Sequence, residues 1–447
     1  KTTEAVQSQM DELKTKYSHQ NHSLLEIIHS SLNVELVNGI LIGIGKAIAS
    51  SKGIVAEKDT KTNAKELSKR KIKHSLSDND VQEFLEVHGD KTSIIGKMSF
   101  TVTEFAPQIF KSIRDSDGLM VDEILSSLSL QHNRQAIFSA EESQGKSGSF
   151  FFFSENGRYL IKTINDEEKS VLLNQLLPDY SSHLFNTNDS LIAFIYGVYQ
   201  ISIDGMKALS VILMQNTIQY QKPEEILGGG SSGIHPYQEK LLKVFDLKGS
   251  TVQRKAKGDD IKASTALKDL DFVAQGIDLD LSDEQKDRLA RCIYHDAKLL
   301  EKHGLMDYSL LLAIVERVPS KKKRAGDGTA KLVAEESNEE EDGDIVDAGR
   351  RADLEKGPMK FFVGLAKLAM KRKSRNMIIS RSGKYVYHIG IIDYLQWFNK
   401  FKYIESKYKS IVYFKNAKFV SAVDPVSYSN RFINFMWKVV LDFKYAQ

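Results

Sequence analysis

The sequence predicts an α+β protein of two lobes, an antiparallel sheet unit followed by a mixed one. Three observations carry this. Aromatic and β-branched runs flank Asn156-Gly157, the strongest hairpin signal in the chain. Gly228 to Gly233 is a glycine-serine break that reads as an interlobe loop. Beyond it, Asp307 and Asp393 each lie in or at the end of a short apolar run, separated by a long polar insert. A carboxylate in apolar surroundings needs a cation or hydrogen bonds to offset its desolvation. Two of them point to a shared cation site, with Mg²⁺ and nucleotide phosphates as the expected occupant.

The elements follow in order. Residues 1 to about 30 are polar and read as a helix with a frayed start. Leu24 to Ala49 is apolar, and Gly39 and Gly43 have the small-xxx-small spacing of close helix approach. A core helix and a self-association helix fit it equally. Residues 50 to 80 are rich in Lys, Ser and Asp and predict a loop or linker. Phe105 to Ile113 and Met120 to Leu130 read as short helices. The hairpin follows, then a helix around Glu167 to Leu177, then strands over Leu191 to Gln200 and Ala208 to Met214. Leu241 to Leu247 is a strand, and Asp283 to His303 a long helix with Ser282 as N-cap. Residues 317 to 384 carry basic and acidic runs and read as a largely disordered insert. Within it, Phe361, Leu365 and Leu368 share a helical face ahead of a basic run, as in a membrane-surface helix or one docked on the second lobe. The expected divisions are 1–95, a helical and linker region; 96–225, the first lobe; 226–316, the second lobe's first part; 317–384, the insert; and 385–447, its second part.

Bulk properties narrow the function. The chain's 447 residues, 41% of them hydrophobic, suffice for about two or three globular units. A net charge of +3 gives no argument for nucleic acid. The one cysteine, Cys292, excludes an internal disulfide framework and fits a reducing compartment. No apolar run approaches the roughly 18 residues of a membrane span. The chain starts at Lys1 rather than Met, so a fragment is expected, and an upstream membrane segment stays open.

Several residues could carry chemistry. Gly145-Lys146-Ser147-Gly148-Ser149 lacks the first glycine of a P-loop, since Ala140 stands there, and a strand rather than a helix follows. A small-residue loop before a hairpin instead suits a flap over nucleotide phosphates. Lys162, between Ile161 and Thr163, can bury its stem and aim its ammonium into a cleft. Asp246-Leu247-Lys248-Gly249-Ser250 and Arg254 place one acid and two cations around a turn suited to phosphate. Asp307 is the candidate catalytic acid and Asp393 the candidate metal ligand. His295-Asp296 is a fragment of a kinase catalytic triplet, but mid-helix, where Asp296 reads as structural.

Taken in order, these segments resemble the phosphatidylinositol phosphate kinases. The motifs are Asp246 to Thr251, Lys268 to Phe272, Met306 to Leu312 and Ile389 to Gln396, with Gly148 to Phe150, Ile161 to Thr163, Leu176 to Pro178, and Asp424-Pro425, Tyr428 and Arg431-Phe432. Ile40 to Ile44 resembles that family's dimer-forming segment. The resemblance implies a two-lobed fold related to protein kinases, ATP and Mg²⁺ in the cleft, and γ-phosphate transfer to a monophosphorylated phosphoinositide, with phosphatidylinositol 4-phosphate favoured. It implies that Gly145, Gly148, Ser149, Lys162, Lys248 and Arg254 serve the phosphates, that Met214 and Asn216 flank adenine, that Asp307 and Lys248 act in catalysis, and that Asp393 binds metal. Lys400, Lys402, Lys407, Lys409 and Arg431 would face an anionic membrane, with the protein peripheral to it on the cytoplasmic side and a homodimer expected. One departure stands out: the helix glutamate expected to pair with Lys162 falls at Val171, with Glu168 nearby. Two other readings follow, a phosphoinositide-binding scaffold and a soluble kinase of another substrate.

Overall fold

Six strands pair antiparallel throughout the first sheet: β1 (Lys71–Ser75), β2 (Phe100–Phe105), β3 (Phe151–Phe153), β4 (Tyr159–Ile164), β5 (Ile195–Ile203) and β6 (Leu209–Gln215), in the order β1-β2-β5-β6-β4-β3. The second sheet contains β7 (Tyr237–Leu247), β8 (Ala266–Leu267), β9 (Ser309–Pro319), β10 (Met377–Ile379) and β11 (Tyr385–Ile392), in the order β10-β11-β9-β7-β8. It is mixed because β8 alone runs parallel to its neighbour β7. The computed structural model describes residues 33–54, 60–76, 100–133, 150–187, 189–203, 207–219, 237–250, 254–256, 263–319, 375–398 and 424–443. The amphipathic stretch at 358–374 lies outside them.

The Asn-Gly hairpin forms as predicted, with Gly157 at φ +64° in its turn. Its strand β4 lies between β3 and β6, and Leu160 and Ile161 face Met214 and Leu213 across the ladder. The helix expected around 167–177 is longer. It comprises Asp166–Val171, a π-turn over Leu172–Leu176, and Leu177–Asn186. Phe105 ends β2 rather than starting a helix; Pro107 opens the helix Pro107–Ser116, where its missing N–H costs nothing.

Two elements occur where composition predicts a linker and an insert. Residues 60–76 form the helix Thr60–Leu67 and β1, the edge strand of the first sheet. Only Ile72 and His74 of β1 turn inward while lysines line its exposed edge, so too few apolar positions exist to show a period of two. Likewise β10 is three residues long and directly follows the basic run.

The helix α1 (Asn33–Ser50) is a core helix. Leu36, Val37, Ile40, Leu41, Ile44, Ala47 and Ile48 are all buried. A Cβ at Gly43 would come within 2.3 Å of Val102 Cγ2 on β2, so the small-residue face seats the chain's own sheet. Among the described residues, no helix is long and apolar enough to cross a membrane.

Main-chain hydrogen bonds join the two sheets. Ile391 N–H donates to Leu191 O at 2.7 Å and Ala193 N–H to Ile391 O at 2.9 Å, so the entry to β5 runs alongside β11. Gly390 allows this approach, because a Cβ there would lie 2.7 Å from Thr217, just past β6. Asp296 supports the junction from the long helix α2 (Asp283–Lys302). It accepts Leu191 N–H at 2.6 Å and Ser190 Oγ–H at 2.9 Å and contacts His183 Nε2 at 2.7 Å, a structural role as its position in the helix predicts.

Close approach at Gly43 leads to a paired prediction. Gly43→Ala should lower unfolding stability by about 1–3 kcal/mol through overpacking. Gly45→Ala, whose Cβ would meet Leu125 at an ordinary 3.7 Å, should raise it by roughly 0.5–1 kcal/mol. Urea unfolding of the two variants checks the contrast.

Candidate active site

β9 and β11 are antiparallel neighbours, with Ser309 opposite Ile392. Asp307 precedes the first of these strands by two residues and Asp393 follows the second by one, so both acids emerge at the same end of the same sheet. Both are left-handed, at φ +63° and +57°. Aspartate tolerates this conformation far better than β-branched residues do, and strain of this kind gathers at functional sites. A short ladder ties the two turns together. Met306 N–H donates to Gln396 O at 2.9 Å, Phe398 N–H to Gly304 O at 3.0 Å, and Leu305 bridges Trp397.

Each acid meets a lysine from a different element. Lys162, on β4 of the first sheet, forms an ion pair with Asp393 Oδ1. Its ammonium lies over the Phe151 ring, with Nζ 5.4 Å from the ring centre. Lys248, just past β7, places Nζ 2.9 Å from Asp307 Oδ1. The lysines are mostly buried, at 14% and 15% side-chain exposure, whereas Asp393 and Asp307 are at 51% and 41%. The acids therefore face an open mouth, with ammonium groups behind them. Adjacent strands lie about 5 Å apart, so the pairs are close neighbours.

Lys162 thus has Asp393 as its partner, and Glu168 is used elsewhere. Glu168 accepts Asn165 N–H at 2.9 Å, and its own N–H donates to Asn165 Oδ1 at 2.8 Å, closing a capping box. Val171, where the family glutamate would fall, is buried in the core.

Arg254 differs from its expected role. Its Nε donates to Asp269 Oδ2 at 2.6 Å and its NH2 group bonds the carbonyl of Asp246, so the guanidinium anchors the turn rather than reaching the mouth. Burial pulls its pKa down, but Asp246 and Asp269 outweigh that and the net shift is upward. Arg431 is half-buried on a helix rather than carried on a membrane-facing loop. It is in the helix α3 (Pro425–Phe435), its guanidinium 4.9 Å from the Tyr428 ring centre. Burial lowers its pKa, only partly countered by the charges of Asp269 and Asp307.

That helix underpins Asp307. The Tyr428 hydroxyl donates to Tyr308 O, and Tyr308 packs edge-on against Tyr428 and Phe432 at 4.8 and 5.0 Å. Burial first, then the nearby Asp307 charge, pushes the Tyr428 hydroxyl well above its usual pKa, so it stays a donor. Neither tyrosine could be given a role from spacing alone. Asp269 likewise lay in a motif with no evident task.

Met214 is buried in β6, between Leu160 and Ile195. The Asn216 amide donates to Gly157 O at 2.8 Å and its oxygen accepts Ile218 N–H at 3.2 Å, so this side chain braces the hairpin turn. Gly145, Gly148, Ser149, Lys400, Lys402, Lys407 and Lys409 lie outside the described residues.

The described residues contain no group of three or more His, Cys, Asp or Glu able to cage a metal. Mg²⁺ commonly takes one or two carboxylates and completes its shell with phosphates and water. Asp307 and Asp393, half-exposed and each already drawing a cation, suit that mode.

A family model described as Phosphatidylinositol-4-phosphate 5-Kinase matches residues 132–439. The chain belongs to this family. Phosphatidylinositol 4-phosphate 5-kinase 9 of Arabidopsis thaliana is 27% identical over 387 residues, 76% of this chain and 44% of that protein. A probable phosphatidylinositol phosphate kinase of Dictyostelium discoideum is 25% identical over 463 residues, 95% of this chain and 60% of that one. A phosphatidylinositol 4-phosphate 5-kinase of Plasmodium falciparum is 30% identical over 350 residues, 74% of this chain and 18% of its own length. The chain spans about half the length of most of the curated relatives it matches. Within this phosphatidylinositol-4-phosphate 5-kinase family member, the matched stretch takes in both aspartates and both lysines. β1 and β2, which complete the first sheet, and α1 lie before it.

The α3 cap gives a pH-dependent prediction. Asp424 accepts Ser427 N–H at 3.0 Å. Burial raises its pKa, but the Ser427 hydrogen bonds outweigh this and hold it below the usual carboxylate range. Its contribution should be present above about pH 4 and fade as pH falls through the lowered folded value. Asp424→Ala should cost about 1 kcal/mol at pH 7, with the difference from the parent shrinking in acid, as measured by urea midpoints along a pH series.

Proposed function

We propose that the chain is a lipid kinase that transfers the γ-phosphate of ATP to the 5-hydroxyl of phosphatidylinositol 4-phosphate, forming phosphatidylinositol 4,5-bisphosphate. The observation that carries this is the convergence of two left-handed aspartates and two backing lysines, Asp307–Lys248 and Asp393–Lys162, at one mouth between the sheets. Relatives named as phosphatidylinositol 4-phosphate 5-kinases support the choice of substrate.

In this reading Asp307 Oδ1 orients the attacking hydroxyl and accepts its proton, a task that needs an accessible carboxylate. Lys248 releases Asp307 and turns to the transferring phosphate, while Lys162 turns from Asp393 to the phosphates behind it. Asp393 would hold Mg²⁺, which when bound would neutralise charge on the phosphate oxygens. Phosphoryl transfer asks little covalent chemistry of the protein, so fixed placement of these four groups is the main contribution.

A membrane-surface setting fits the same reading. Trp397 is partly exposed beside the Asp307 ladder, and Lys400, Lys402, Lys407 and Lys409 follow it in sequence. Each lysine near an anionic surface is worth about 1 kcal/mol.

Radiolabel transfer from ATP to mixed phosphoinositide vesicles tests the proposal. The expected product is phosphatidylinositol 4,5-bisphosphate, and Asp307→Asn should slow its formation by about 10²–10⁴-fold. Vesicle binding with no transfer by the parent would favour a scaffold. Label confined to soluble inositol phosphates would move the substrate off the membrane.

A further inference from the structure

A buried carboxylate with no part in the proposed reaction sits behind Lys248. Asp269 opens the short helix Asp269–Ala274 and is 1% exposed. Its Oδ1 accepts three successive backbone N–H groups, from Lys248 at 2.9 Å, Gly249 at 2.7 Å and Ser250 at 3.4 Å. Its Oδ2 accepts Arg254 Nε–H at 2.6 Å. The guanidinium compensates the buried charge, and hydrogen bonds from N–H to a carboxylate are stronger than neutral ones.

The opposite side of the same turn is also closed. Gly249 is left-handed at φ +69°, and a Cβ there would lie 3.1 Å from both Arg431 O and Phe435 Cβ of α3. The turn is therefore clamped between Asp269 and α3, the helix that also holds Tyr308 next to Asp307. Lys248 leaves this clamp with its Nζ 2.9 Å from Asp307 Oδ1.

We infer that Asp269 is a positioning residue: by holding the Lys248 and Gly249 amides it sets where the Lys248 ammonium stands relative to Asp307 and a transferring phosphate. The inference rests on the kinase reading above. Asparagine cannot replace the aspartate, because its NH₂ must face either the turn amides or Arg254 Nε, and both are donors.

The test compares Asp269→Asn, Lys248→Met and the double variant, by hydrogen exchange and by kcat and KM for ATP in the vesicle assay. In Asp269→Asn the Lys248–Ser250 amides should exchange faster while α2 stays protected. Its kcat should fall about 10²-fold, as for a displaced catalytic group, with KM for ATP nearly unchanged. In the Lys248→Met background the same substitution should cost less than about two-fold, because the group it positions is gone. An equal loss in both backgrounds, or unchanged protection at Lys248 and Gly249, would overturn the inference while leaving the kinase reading intact. No transfer by the parent overturns the kinase reading and this inference with it. Should Asp269→Asn not fold, Asp269→Leu with Arg254→Met removes the charge pair together, and the same outcomes apply.

Discussion

The pairing of β9 with β11 is the constraint on which the rest of the site depends. Its register places Ser309 opposite Ile392, and so brings Asp307 and Asp393 to one end of one sheet although 86 positions separate them in sequence. A slip of one residue would turn every side chain of a strand to the other face. The slip is opposed by the buried Leu310, Leu312, Ile389 and Ile391, and by the Met306–Gln396 and Phe398–Gly304 hydrogen bonds just beyond the strands.

The charges at the mouth are arranged for exchange rather than for stability. Exposed or half-exposed ion pairs contribute little to folding, since water and salt screen them. Lys162 and Lys248 can therefore trade their carboxylate partners for phosphate at small cost. They are carried by different parts of the protein, Lys162 by the hairpin, with its ammonium over Phe151, and Lys248 by the turn that Asp269 and α3 enclose. The contact between the entry of β5 and β11 keeps those parts in register, with Gly390 permitting Thr217 to approach.

Much of this was legible in the sequence, for identifiable reasons. The hairpin has its turn residues and an aromatic run, the long helix has the Ser282 cap, and both aspartates stand out against apolar neighbours. What was illegible depends on contacts between distant segments. β1 carries too few inward residues to declare itself. Arg254 and Lys248 look equally suited to phosphate until Asp246 and Asp269 are seen to claim the first. Arg431 follows a lysine-rich stretch and so resembles a membrane contact, yet its helix turns it inward onto Tyr428. Glu168 is chemically apt as a partner for Lys162, but Asn165 three residues earlier makes it a cap.

The proposed Mg²⁺-dependent nucleotide site rests on the four groups at the mouth. Calorimetric titration of ATP, with and without Mg²⁺, into the parent and into Asp393→Asn tests it most directly. Mg²⁺ should tighten ATP binding to the parent, and the effect should be lost in the variant while ATP alone still binds. An equal Mg²⁺ effect in both proteins would contradict the assignment of Asp393 and the reading of the mouth built on it.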